Sequence, residues 1–123
     1  MLAKKFSKDP DHKKRAVQTW QILVGRAMNQ QIINYKDLSV LIYGRAAPRV
    51  MPRILGHVAY YCQHCKLPAL TTIVIGKHSG IPGINIPVRA GDVNNQRAKV
   101  FNFDCYNIVP PSDDELHEAF TTP

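Results

Sequence analysis

Apolar residues recur every three or four positions through the first half of the chain, which is the spacing of one face of a helix. This pattern predicts three helices over about residues 10–28, 35–43 and 48–66. We expect the first to begin at Pro10 after the cap Asp9, and the second to begin after Asn34 and end at Gly44. The inward-facing positions predict a common core of Trp20, Leu38, Leu41, Ile54, Leu55 and Val58.

The third predicted helix contains a proline at an interior position. Pro52 has no backbone N–H to donate, so we expect the regular helix either to begin at Pro52 or to kink there.

The pattern changes after Leu67 and Pro68. The β-branched run 71–75 predicts a strand that leads into a basic, turn-rich loop, and residues 84–89 and 99–103 are weaker strand candidates. Ser112 and Glu115 predict a capping box for a last, acidic helix. The order predicts an α+β fold, a small winged helix-turn-helix domain with three helices, a β-wing and a short C-terminal helix. We expect a basic arm over 1–8, this domain over 9–111 and the acidic helix or tail over 112–123.

Positive charge lies mainly in the first two-thirds of the chain. The net charge is +7 and the pI is near 9.5, whereas the last twelve residues hold four acids and no base. This balance favours an anionic partner, nucleic acid or a membrane surface. Arg45, Arg49 and Arg53 are spaced by four, so a helix would align them on one face for phosphates or base edges. A solvated face is the alternative, as it is for the outward Lys13-Lys14-Arg15 cluster.

The predicted DNA-binding surface extends to both sides of these arginines. It includes the start of the second helix, the polar face of the third helix and the basic loop. The complete set is Tyr35, Lys36, Arg45, Arg49, Arg53, His57, Lys77 and His78.

The stretch Tyr35-Lys36-Asp37-Leu38 resembles the DNA-binding domain of the alkylguanine-DNA alkyltransferases and alkyltransferase-like proteins. In that family a tyrosine opens the first helix of the motif, and a helix rich in small residues carries an arginine that enters the duplex as a base turns out through the minor groove. The resemblance implies these roles for Tyr35 and Arg49. It covers about residues 31–83, through Ala46, Ala47, Leu67-Pro68-Ala69-Leu70 and Ser79-Gly80-Ile81-Pro82-Gly83.

The residues that would carry alkyl transfer are missing from the sequence. The family's alkyl-accepting cysteine lies in a Pro-Cys-His-Arg motif, whereas residues 70–75 here read Leu-Thr-Thr-Ile-Val-Ile. Alkyl transfer needs an activated thiolate, and no HExxH, P-loop or GxSxG motif occurs. We therefore expect a non-catalytic protein that binds double-stranded DNA, senses modified or damaged bases or acts as a small regulator, and has no catalytic residues.

The stretch Cys62-Gln63-His64-Cys65 has the CxxC spacing of a zinc site, which Cys105 and a histidine could complete. Cys62 and Cys65 also continue the apolar stripe of the third helix, where buried thiols are common. Three cysteines exclude a complete disulfide framework. We expect buried, reduced thiols and neither metal nor cofactor, with zinc and a redox pair as alternatives.

The sequence has no signal peptide and no apolar run near the ~20 residues of a membrane span, so a cytoplasmic protein without membrane contact is expected.

Two other functions stay open. A nuclease or base-modifying enzyme would use Tyr35, His57 and the wing, and would lose activity on chelation. A protein-interaction module of a phage or defence system would bind an acidic protein, in a complex that survives high salt.

Overall fold

Packed helices and a very small sheet form the part of the chain that the structure describes. The computed structural model describes residues 11–76 and 90–122, and within these ranges it has five α-helices and two strands. Their bounds are α1 His12–Met28, β1 Ile33–Asn34, α2 Tyr35–Tyr43, α3 Met51–His64, β2 Val74–Ile75, α4 Val93–Asn102 and α5 Asp113–Thr121. Single 3₁₀ turns lie at Pro48–Val50, Leu70–Ile73, Ala90–Asp92 and Cys105–Asn107.

The predicted winged helix-turn-helix fold, with its three helices followed by a β-wing, is wrong. The sheet consists of β1 and β2, which run parallel with Ile33 opposite Val74 and Asn34 opposite Ile75. A wing is an antiparallel hairpin, and the described part of the chain is mostly helical. The weak strand candidate 84–89 lies outside the described residues.

Two of the predicted strands have a different structure. In the run 71–75 only Val74 and Ile75 pair as a strand, because Leu70–Ile73 forms a 3₁₀ turn whose four residues are all buried. β-branched residues favour a half-buried pleated surface, and here the core surrounds them instead. The candidate 99–103 lies in α4 and just beyond it; α4 buries only Val93 and Val100. Two buried positions are too few to reveal a helix in the sequence.

The start of α1 also differs from the prediction. The helix begins at His12, and its cap is Asp11, whose carboxylate accepts a hydrogen bond from the Lys14 N–H at 3.3 Å. Asp9 and Pro10 lie outside the described residues. The helix ends at Met28, as predicted.

Local signals predicted α2 and the start of α3 well. The Asn34 side chain caps α2 by accepting the Asp37 N–H at 2.8 Å, and Gly44 ends the helix with φ of 75°. This left-handed backbone favours glycine. Pro52 lies in the first turn of α3, where its missing N–H breaks no helical hydrogen bond. The regular helix accordingly begins at Met51, after the 3₁₀ turn.

The helices share one hydrophobic core. All but one of its predicted members are buried, namely Trp20, Leu38, Ile54, Leu55 and Val58. Leu41 is 54% exposed, so its placement in the core is wrong. The inward face of α2 is already filled by Leu38 and Ile42.

The C-terminal helix α5 closes this core against α1 and α3. Its predicted capping box is present, since Ser112 Oγ accepts the Glu115 N–H at 3.2 Å and the Glu115 carboxylate accepts the Ser112 N–H at 3.1 Å. Leu116 is fully buried. A Cβ atom on Gly56 would lie 2.7 Å from Phe120 Cε2, so glycine allows α5 to approach α3 this closely.

Candidate nucleic-acid interface

The turn between α2 and α3, residues 44–50, is tied to α2 by hydrogen bonds. The Gly44 N–H donates to the Val40 carbonyl at 2.8 Å. The buried Ser39 hydroxyl accepts the Ala47 N–H at 2.9 Å and donates to the Lys36 carbonyl at 2.7 Å. These bonds fix the backbone of the turn, so the side chains that it carries project from defined positions.

Two of the predicted DNA-binding arginines, Arg45 and Arg49, line a surface cleft of about 380 Å³ at this turn. Both are exposed. The ion pair within residues 11–76 and 90–122 is Lys13–Asp114, so neither arginine is paired with a carboxylate in that part of the chain. The remaining lining residues are Tyr43, Ala46, Ala47, Pro48 and Val50.

Arg15 of α1 contacts the end of α2, where Tyr43 lines this cleft. Its Nη1 donates to the Ile42 carbonyl at 2.7 Å and to Gln18 Oε1 at 3.0 Å. Its Cζ lies 4.7 Å from the centroid of the Tyr43 ring, which is a cation–π distance. We expected Arg15 on an outward basic cluster and missed this contact, because nothing in the sequence indicates that α1 passes the end of α2.

The three arginines do not share one helical face. Arg45 lies in the turn, Arg49 lies in the 3₁₀ turn Pro48–Val50, and only Arg53 lies in α3. The Cζ of Arg53 is 5.6 Å from the centroid of the Phe120 ring in α5. Arg53 is exposed but does not line the cleft.

The other predicted DNA-contact residues lie in different parts of the structure. Tyr35 is half-buried at the start of α2 and packs on the core, and Lys36 beside it is exposed. Lys77 and His78 lie outside the described residues.

His57 lies in the interior, with 1% of its surface exposed. Its ring stacks on Phe120 at a centroid distance of 4.2 Å and an interplanar angle of 7°. Its Nδ1 is 2.8 Å from the Arg53 carbonyl, which can only accept, so Nδ1 carries the proton. Burial lowers the pKa of His57 below its ordinary value of 6.5 although the bond to Arg53 opposes this, and the neutral ring therefore predominates at pH 7.

The thiols differ in their surroundings. Burial raises the pKa of Cys62 to about 12 and also raises the pKa of Cys105. Cys65 is exposed, because α3 ends at His64, and the prediction that Cys65 shares the buried stripe is wrong. Within the described ranges, no group of three or more His, Cys, Asp or Glu side chains is placed to hold a metal ion.

No protein-family model matches the chain, and no curated protein or solved structure matches it. None of the helices within residues 11–76 and 90–122 has both the length and the apolar character needed to cross a bilayer.

Proposed function

We propose that this protein is a non-catalytic, cytoplasmic protein that binds double-stranded DNA through the turn between α2 and α3. Arg45, Arg49 and Lys36 form the contact surface. Recognition of modified or damaged bases, or action as a small regulator, is the role that the family resemblance suggests for such a protein. The observation that supports the proposal most is the pair of exposed arginines, without a carboxylate partner in the described chain, on a hydrogen-bonded turn.

Arg45 and Arg49 have no carboxylate partner within the described ranges. Two guanidinium groups on one cleft repel each other, and a polyanion removes that repulsion while releasing its own condensed counterions. The net charge of +7 adds long-range attraction for DNA. The alanines and proline that line the cleft are small, so a phosphate backbone can approach the turn closely.

The proposed protein does not transfer alkyl groups, because its thiols are unsuited to that reaction. The segment corresponding to the family's acceptor strand has no cysteine. Cys62 and Cys105 are buried and have raised pKa values, which suppresses the thiolate that alkyl transfer requires.

A second candidate function, binding an acidic protein, is favoured by the outer face of α2. Val40 and Leu41 are 42% and 54% exposed and lie next to the turn that carries Arg45. Exposed apolar side chains beside cations suit a partner that has both acidic and apolar groups. The two candidates differ in their salt dependence, because only DNA binding releases a large number of condensed counterions.

The proposal is tested with Arg45→Gln/Arg49→Gln, measured by fluorescence anisotropy on a short labelled duplex over a series of KCl concentrations. Loss of two phosphate contacts should weaken binding and reduce the slope of log K against log salt by about 0.9 per contact. The charge-matched control is Lys66→Gln/Lys99→Gln, which removes two exposed lysines that do not line the cleft. Equal affinity and equal slopes for the two double variants would refute this surface. A protein complex that persists at high salt, with no duplex binding, would favour the second candidate.

A further inference from the structure

Phe120 joins the C-terminal helix α5 to α3. Its ring lies flat on the buried imidazole of His57, fills the space that the missing side chain of Gly56 leaves, and has the Arg53 guanidinium 5.6 Å from its centroid. Tyr60 meets the same ring edge-on at 6.2 Å. The contact between α5 and this part of α3 is therefore centred on the Phe120 ring, which stacks on the titratable imidazole of His57.

The titratable groups around His57 are nearly all potential cations. His117 of α5 lies 6.0 Å from it between ring centroids, and Arg53 lies one turn away on α3. His12 of α1 also acts on His57 electrostatically, and its Nδ1 is buried without a hydrogen-bond partner among the described residues. Two carboxylates lie near the other members of this cluster: Asp114 pairs with Lys13 at 2.8 Å and also interacts with His117, and Asp11 interacts with His12.

We propose that α5 is a proton-sensitive latch on α3, held closed by the neutral form of His57 and released when this imidazole and that of His12 take up protons. The proposal goes beyond DNA binding and does not depend on it.

The direction of the effect follows from the cost of charging a buried ring. A second proton on His57 would place an imidazolium between α3 and α5, with Arg53, His12 and His117 near it and no carboxylate among the groups that act on it. Attraction between the imidazolium and the Phe120 face opposes this cost, but desolvation is the largest influence and the cationic neighbours act in the same direction, so the pKa of His57 is lowered. Moving α5 away hydrates the ring and lets it protonate.

The pH window follows from the sign of that change. A histidine whose pKa is lower in the closed state than in the open state takes up a proton on opening. The closed state is fully favoured above the ordinary pKa of 6.5 and loses stability as the pH falls from 6.5 towards the lowered value. Within that window the opening equilibrium rises about tenfold per pH unit for each proton taken up. Burial and then Arg53 also lower the pKa of His12, although Asp11 opposes them, so hydration of His12 on opening acts in the same direction.

Opening of α5 is measured by hydrogen–deuterium exchange with mass spectrometry at several pH values on either side of 6.5, after correction for the intrinsic exchange rates. Exchange of the α5 amides should accelerate about tenfold per pH unit below about pH 6.5, while the α4 amides, far from this cluster in sequence, keep their protection. His57→Gln removes the titrating ring and should reduce this acceleration. His64→Gln is the matched control, because His64 is an exposed histidine at the other end of α3.

Three results would overturn the latch. They are α5 exchange that is independent of pH, acceleration that is equal in α4 and α5, and acceleration in His57→Gln that equals that of the unmodified protein. If His57→Gln does not fold, the pKa of His57 is measured by NMR in the unmodified protein instead. A value below 6.5 supports the latch, and a value at or above 6.5 contradicts it.

Discussion

The hydroxyl of Ser39 accepts a hydrogen bond from the backbone N–H of Ala47 at 2.9 Å, across the end of α2. The same hydroxyl donates to the Lys36 carbonyl at 2.7 Å, and Ser39 is fully buried. One side chain therefore connects the first turn of α2 with the segment that carries Arg45 and Arg49. Whatever binds at these arginines depends on Ser39 for the position of the backbone beneath them.

Replacing Ser39 by alanine should destabilise the fold and loosen the turn. The Ala47 N–H then loses its partner in a place that water reaches poorly, which costs about 1–3 kcal/mol. Urea unfolding measures the loss, and duplex affinity should fall in the folded variant. Thr121→Ala, which removes an exposed hydroxyl near the end of α5, is the control and should leave both quantities close to unchanged. Full stability in Ser39→Ala would show that the hydrogen bond is dispensable.

Leu38 and Leu41 should respond very differently to substitution. Leu38 is fully buried, so Leu38→Ala should cost about 2–5 kcal/mol of unfolding free energy. Leu41 is 54% exposed, and Leu41→Gln should change stability by no more than about 0.5 kcal/mol. Thermal unfolding of the two variants distinguishes them. A large loss in Leu41→Gln would restore the original placement of Leu41 in the core.

Two helical glycines allow a matched comparison. Nothing lies within 4 Å of a Cβ built on Gly25, so Gly25→Ala should stabilise α1 by about 0.5–1 kcal/mol. Gly56→Ala brings a methyl group 2.7 Å from Phe120 Cε2, and it should destabilise the protein by about 1–3 kcal/mol.

The Gly56 effect should depend on the Phe120 ring. In a double-mutant cycle with Phe120→Leu, the cost of Gly56→Ala should shrink, because the atom that it strikes is gone. If Gly56→Ala lowers the free energy of unfolding by the same amount in the Phe120→Leu background, the added methyl group contacts a residue other than Phe120.

Alkylation of the native protein should distinguish the three thiols. At pH 8 roughly one Cys62 side chain in ten thousand is a thiolate, since its pKa is about 12. Burial protects Cys105 in the same way, whereas Cys65 is exposed. Iodoacetamide should therefore give a single adduct, mapped by mass spectrometry to Cys65, and three adducts after unfolding in urea. Early modification of Cys62 would contradict its burial.

Both ends of α2 and the start of α5 were predictable from the sequence because their signals are local. Asn34 and Gly44 bound α2, and Ser112 with Glu115 starts α5, through bonds between residues at most four positions apart. Only neighbouring residues are needed to recognise such signals.

The wrong predictions concern residues whose structure depends on contacts with segments far away in the sequence. His57 was expected on the polar face of the third helix, yet the ring of Phe120 from α5 covers it. The run 71–73 has strand composition, but burial on all sides places it in a 3₁₀ turn. The cleft at Arg45 and Arg49 also required the fold, since the third helix was expected to include Arg49, whereas residues 48–50 form a 3₁₀ segment after the turn.

The docking of α5 has a consequence for the order of folding. The Lys13–Asp114 contact joins residues 101 positions apart, so almost the whole described chain must be brought together before α5 can bind α1. Closing so long a loop costs chain entropy, and contacts between neighbouring residues do not offset this cost. We expect α1, α2 and α3 to assemble first and α5 to add last, so that Leu116→Ala accelerates unfolding and leaves the refolding rate nearly unchanged. Until α5 binds, the surface of α3 around Gly56 stays exposed to water, so it is buried only at the end of folding.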